Sequence, residues 1–134
     1  MYNANVYDVR VEGNVRVSEN FRVREFACKD GTRMVAINPQ LVAYLQKART
    51  HFGKPMNINS AYRTAYHNSK VGGVANSQHL FGAAADVYIP GVSVRELYDY
   101  LCQIAGDTCG VGIYDAFVHF DVRPVKTRFD YRTK

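Results

Sequence analysis

Two short segments hold the side chains with the most chemistry in this chain. The first runs Ser77-Gln78-His79-Leu80-Phe81-Gly82-Ala83-Ala84-Ala85-Asp86-Val87 and sets one imidazole and one carboxylate around a run of small residues. The second is Phe117-Val118-His119-Phe120-Asp121. Zinc takes imidazole nitrogen and carboxylate oxygen at about 2.0–2.2 Å, so the ligand atoms of one ion must converge within a few ångströms. His79 and Asp86 are seven positions apart. On one helix they would be separated by roughly 10 Å along the axis, and in extended chain by over about 20 Å. The segment must therefore fold back if both ends are to meet one ion. Gly82 permits a bend, and Ala83, Ala84 and Ala85 let backbone pack closely.

Two protein ligands leave a site incomplete, and His119 is the natural third. In an unbroken strand, residues 115, 117, 119 and 121 point alike. Asp121, and by the same alternation Asp115, would then share a face with His119. A catalytic zinc keeps three protein ligands and one open position, with a carboxylate near enough to take a proton. His79, Asp86 and His119, with Asp115 or Asp121, supply that set for one Zn2+ ion. His67, between Tyr66 and Asn68, is read as structural or surface, and His51 as structural.

The elements that must position these groups are legible in outline. Residues 5–17 alternate apolar and polar, broken at Gly13-Asn14, which predicts a small hairpin or edge strand. Residues 18–28 read as a short helical turn that packs Phe21, Val23 and Phe26 on the core. Asn38-Pro39 starts a helix with a side-chain cap and proline in the first turn. Leu41, Tyr44, Leu45, Ala48 and Phe52 follow at helical spacing, and Gly53 ends it. Residues 56–60 read as a strand, 64–70 as a short helix, 71–77 as a loop and 84–89 as a strand. Ser93 and Glu96 form a capping box that opens a second helix, closed by Gly106. Residues 110–114 and 117–123 read as a hairpin, and the last ten residues as a loose basic tail. The expected class is α+β: a small, mostly antiparallel sheet with helices on one face and the other face free for a site.

At 134 residues, 47% hydrophobic and 22% charged, the chain fits one globular domain. No apolar run approaches the roughly 20 residues that span a bilayer. Residues 1–5 lack a basic start followed by an apolar stretch, so no signal peptide is expected. The net charge is +5, but no basic run is dense enough to mark a nucleic-acid partner. Cys28, Cys102 and Cys109 are odd in number and form no C-x-x-C. Buried free thiols are expected, with a Cys102–Cys109 bridge as the alternative, and a cysteine zinc site is not.

Taken together, Ser60-Ala61-Tyr62-Arg63, Ser77-Gln78-His79 through Gly82 to Asp86, and Tyr114 to Arg123 resemble the zinc D-Ala-D-Ala carboxypeptidase family. More narrowly they resemble its small phage-type peptidoglycan peptidases, which share a zinc site with hedgehog signalling domains. The likeness covers roughly residues 17–125 of a single zinc peptidase domain. It implies zinc bound by His79, Asp86 and His119, with Arg63 on the substrate carbonyl or carboxylate. It implies cleavage of a stem-peptide bond of peptidoglycan, as an L-Ala–D-Glu endopeptidase or a D,D-carboxypeptidase or endopeptidase. Relatives carry the general base a few residues before the last ligand, where Asp115 stands; Asp121 is the rival. Phe117 occupies the place of the second histidine of H-x-H relatives. Gln78 and Tyr62 are expected to line the pocket. A monomer made in the cytoplasm, released by a holin-like partner and acting on the cell wall, follows by the same analogy. The competing class is a zinc-bearing binding module without turnover.

Overall fold

The computed structural model describes residues 3–133. Strand β1 (Asn5–Asp8) pairs antiparallel with β4 (Met34–Ile37). Between them come α1 (Val9–Glu12), β2 (Arg16–Ser18), β3 (Phe21–Arg22) and a 3-10 turn, Val23–Phe26. The alternating stretch 5–17 is therefore not one hairpin turning at Gly13-Asn14. Asp8 explains the difference. Its Oδ1 accepts from the Arg10 N–H at 3.0 Å, and Glu12 Oε1 accepts from the Asp8 N–H at 2.8 Å. Capping of this kind satisfies amides that a helix start leaves open, and it overrides the extended pattern.

Helix α2 (Pro39–Phe52) begins where the sequence places it. Asn38 Oδ1 accepts from the N–H groups of Gln40 and Leu41, and Gly53 ends the helix at φ +65°. The chain continues through β5 (Asn57–Ser60), α3 (Ala65–Lys70), a 3-10 turn at Gln78–Phe81, and β6 (Ala84–Tyr88). Helix α4 (Val94–Ala105) carries the Ser93–Glu96 capping box. Strands β7 (Gly110–Ile113), β8 (Val118–Asp121) and β9 (Thr127–Asp130) follow.

Five of these strands form one sheet in the order β5-β6-β8-β7-β9. Its pairs are antiparallel except β7 with β9, which is parallel. The fold is α+β. Leu41 and Leu45 of α2 and Leu97 and Leu101 of α4 share a buried cluster with Ala85, Val87, Val111, Val118 and Phe120 of the sheet. Strands alternate, so Asp86, Gly110, Gly112, His119 and Asp121 point away from that core.

The expected loose tail is instead partly a strand. The Thr127 N–H donates to the Cys109 carbonyl at 3.0 Å. Arg128 donates to the carbonyls of Cys109 and Gly106 at 2.7 and 2.9 Å. Its basic side chain thus caps open carbonyls just past α4, a use that composition does not reveal. Among the described residues no helix is long and apolar enough to cross a membrane.

Candidate metal centre

The β6–β8 register sets Asp86 directly opposite His119. His119 Nδ1 lies 2.9 Å from Asp86 Oδ1. His79 arrives from the 3-10 turn, whose N-cap Ser77 accepts from the His79 N–H at 3.2 Å. Gly82 then reverses the chain at φ +68°. A methyl there would strike the Ala36 carbonyl, and the Gly82 carbonyl accepts from the Asn38 N–H at 3.0 Å. The bend leaves His79 Nε2 3.4 Å from Asp86 Oδ1. One ligand atom from each of His79, Asp86 and His119 lies within 4.8 Å of the others.

The far side of each imidazole is fixed. His79 Nδ1–H donates to the Ala61 carbonyl at 2.6 Å, and the His79 carbonyl accepts from the Arg63 N–H at 3.1 Å. His119 Nε2–H donates to Asp121 Oδ2 at 2.7 Å. Asp121 is fully buried. It accepts from Arg123 Nε and Nη2 at 2.8 and 2.7 Å, from the Arg123 N–H, and from the Gly110 N–H. His79 Nε2 and His119 Nδ1 therefore face Asp86 while the opposite nitrogens are held by acceptors, the arrangement that orients metal-binding histidines. Two nitrogens and a carboxylate oxygen suit zinc.

Charge in the cluster is strongly coupled. Burial pushes the Asp86 carboxyl up, but hydrogen bonds from His119 and His79 outweigh it and hold it well below the usual range. Burial likewise opposes ionisation of Asp121, and His119 and Arg123 outweigh it. Burial pushes the His119 imidazole down, yet Asp121 and Asp86 on either side raise it to about 9. Tyr114 is raised by burial and then by the Asp86 charge, so its phenol stays protonated at neutral pH.

A cleft of about 530 Å3 opens on this cluster, lined by Arg63, Gln78, His79, Asp86, Tyr114, His119, Phe129 and Tyr131 among others. Besides the three donors themselves, Arg63 and Gln78 are the residues singled out in the sequence that reach it. Arg63 donates to Ser60 Oγ at 3.1 Å and Asn68 Oδ1 at 3.2 Å, and stands 3.5 Å from Asp86 Oδ2. Among the described residues, Gln78 Oε1 is buried without a hydrogen-bond partner. Tyr62 is not in the lining; it packs against the core, and its N–H donates to the Phe26 carbonyl. Asp121 stands behind His119, outside the lining. Asp115 is exposed, and its carboxylate accepts from the Thr133 N–H at 3.0 Å and Oγ1 at 2.8 Å. Sequence reasoning did not single out Asn68, Arg123, Tyr114 or Phe129. The H-x-D-x-R spacing of His119, Asp121 and Arg123 carried a signal for the second. Asn68 carried none, since its role depends on the loop around Val74, whose carbonyl it also binds at 2.8 Å.

Comparison with known proteins adds two findings. A zinc D-Ala-D-Ala carboxypeptidase of Streptomyces albus G is 46% identical over 44 residues, which are 32% of this chain and 17% of that protein. The match thus spans under a fifth of that relative's length. The family model described as Peptidase M15 matches residues 17–121. That span begins ahead of α2 and runs through β8, taking in every donor of the cluster, and the chain accordingly belongs to the peptidase M15 family.

Proposed function

We propose that this protein is a zinc-dependent peptidase that hydrolyses a bond in peptidoglycan stem peptides, with the ion held by His79, Asp86 and His119. One observation carries the reading: three donor atoms converge while the outer nitrogen of each histidine is already bound to an acceptor. Zinc in this setting supplies Lewis acidity and stabilises developing negative charge. The name of the Streptomyces relative supports both the metal and the substrate class.

The chain's own residues divide the remaining work. Arg63, on the cleft wall, presents positive charge to a substrate carbonyl or carboxylate. The unpartnered Gln78 Oε1 accepts from a substrate N–H, and the protonated Tyr114 hydroxyl is a donor. Asp121 is a positioning residue: its acceptor sites are filled by His119, Arg123 and Gly110. Proton transfer falls to Asp115. It is exposed and directly follows the cleft residue Tyr114; its carboxylate stands outside the cleft lining, where it accepts from Thr133 and lies beside Arg132. Catalytic hydrogen bonds often form only with substrate in place.

Mass spectrometry of muropeptides digested by the zinc-loaded protein tests this and identifies the bond. Cleavage is expected, and intact muropeptides would leave only a zinc-bearing binding module. Asp115→Asn should lower kcat by about 10²–10⁴-fold at unchanged zinc content; an unchanged kcat removes Asp115 from the role.

A further inference from the structure

A second group of metal-binding side chains lies outside the cleft. Cys28, Asp30 and His67 each offer a ligand atom, and these atoms lie within 4.8 Å of one another. The sequence discourages this reading, because Cys28 has no neighbouring cysteine and His67 is 39 positions away. The fold removes the distance. Cys28 follows the 3-10 turn Val23–Phe26, and His67 sits on α3.

Several contacts hold the cluster together. The Gly31 N–H donates to the Cys28 carbonyl at 3.2 Å, turning the chain so that Asp30 stands beside Cys28. Asp30 Oδ1 accepts from the Thr32 N–H at 2.8 Å, and Oδ2 accepts from Thr64 Oγ1 at 2.8 Å. The same hydroxyl accepts from the His67 N–H at 3.1 Å and lies 4.0 Å from Cys28 Sγ. Bonds from Thr32 and Thr64 hold the Asp30 carboxyl below its usual range, so it is ionised at neutral pH. Among the described residues, the His67 imidazole makes no hydrogen bond or ion pair. Cys28 is a free, buried thiol.

We propose that Cys28, Asp30 and His67 form a second site for a borderline-soft divalent cation such as zinc, filling three of its four coordination positions. Thiolate sulfur, imidazole nitrogen and carboxylate oxygen are all zinc donors. A tetrahedral zinc separates its ligand atoms by roughly 3.3–3.8 Å, so the three donors, now within 4.8 Å of one another, would have to draw closer around the ion, chiefly by rotation of the half-buried His67 ring. Binding releases the Cys28 proton. The ion would staple the loop around Asp30 to α3. That helix carries Asn68, which holds Arg63 Nη1, so the staple would also steady the cleft wall.

Cobalt substitution under reducing conditions tests the site independently of peptidase activity. The cleft cluster has no sulfur, so sulfur-to-cobalt charge-transfer absorption can arise only at a cysteine site. The expected results are two cobalt ions per wild-type chain and a near-ultraviolet thiolate band. Cys28→Ser should abolish the band and one equivalent, and Cys102→Ser should leave both. His67→Gln, at a less buried position, should lose the same equivalent if Cys28→Ser does not fold. One ion per wild-type chain without a thiolate band would overturn the proposal and leave only a hydrogen-bonded loop. A band that survives Cys28→Ser would overturn it too.

Discussion

Asp121 decides how His119 presents its nitrogen. With Nε2–H fixed to a fully buried carboxylate, Nδ1 has one direction left, toward Asp86. Asp121→Asn keeps the shape but removes the charge and turns donors toward Arg123. Losing such a partner costs about 10–100-fold in metal affinity. Competition against a chromogenic chelator should find that loss, with the circular dichroism spectrum unchanged. Unaltered affinity would mean that Asp121 only anchors Arg123. The same triad gives the metal-free protein a pH signature. His119 is raised from 6.5 to about 9 by Asp121 and Asp86, with His79, Arg63 and Arg123 also close by. A group raised on folding stabilises fully below its unfolded value and loses that contribution as pH climbs through the folded one. Chelated protein should therefore lose on the order of 3 kcal/mol between pH 6.5 and 9. Thermal melts across that window read the effect; a melting temperature flat from 6.5 to 9 would contradict it.

At the scale of elements, the site is a matter of register and of small residues facing large ones. His119 on β8 faces Asp86 on β6 and Gly112 on β7. The Phe129 ring of β9 occupies the space where a side chain at residue 112 would sit. That ring also lines the cleft and lies 5.6 Å from the His119 ring, centroid to centroid. Gly112→Ala should cost about 1–3 kcal/mol by overpacking and displace Phe129. Urea titration measures the first effect, and the KM for a muropeptide the second. A neutral substitution would mean that β9 yields without cost. The hairpin of β7 and β8 was readable from the sequence because two short alternating segments, with Val111, Ile113, Val118 and Phe120 on one face, flank a short turn. Strand β9 was not, because Thr127, Arg128 and Asp130 pass for tail residues until the β7 edge accepts them. Local capping at Asp8 similarly hid α1 inside an alternating pattern.

Across the whole molecule, the metal proposed at the cleft would join parts that are distant in sequence. His79 belongs to the turn after the loop at 71–77, whereas Asp86 and His119 belong to the central sheet. An ion there stabilises the folded state by about 2.7 kcal/mol at a free concentration a hundred times its dissociation constant. Adding a strong chelator should lower the melting temperature and expose the loop at 71–77 to protease first. Restoring zinc should reverse both, and a melting temperature indifferent to zinc would place the ion outside the folding equilibrium.

The sequence alone determined which side chains could serve as ligands, the need for a bend at Gly82 if they are to meet, the two long helices with their caps, and the β7–β8 hairpin. Each depends on neighbours within a few residues, where side-chain chemistry and spacing act directly. Only the tertiary structure decided that Asp121 lies behind His119, that Asp115 turns to Thr133, that Tyr62 faces the core, and that Cys28 meets His67. Those outcomes depend on which face of a strand is covered and on which distant backbone supplies the partner. Alternation fixes a shared side for residues 119 and 121, and packing fixes what lies on that side.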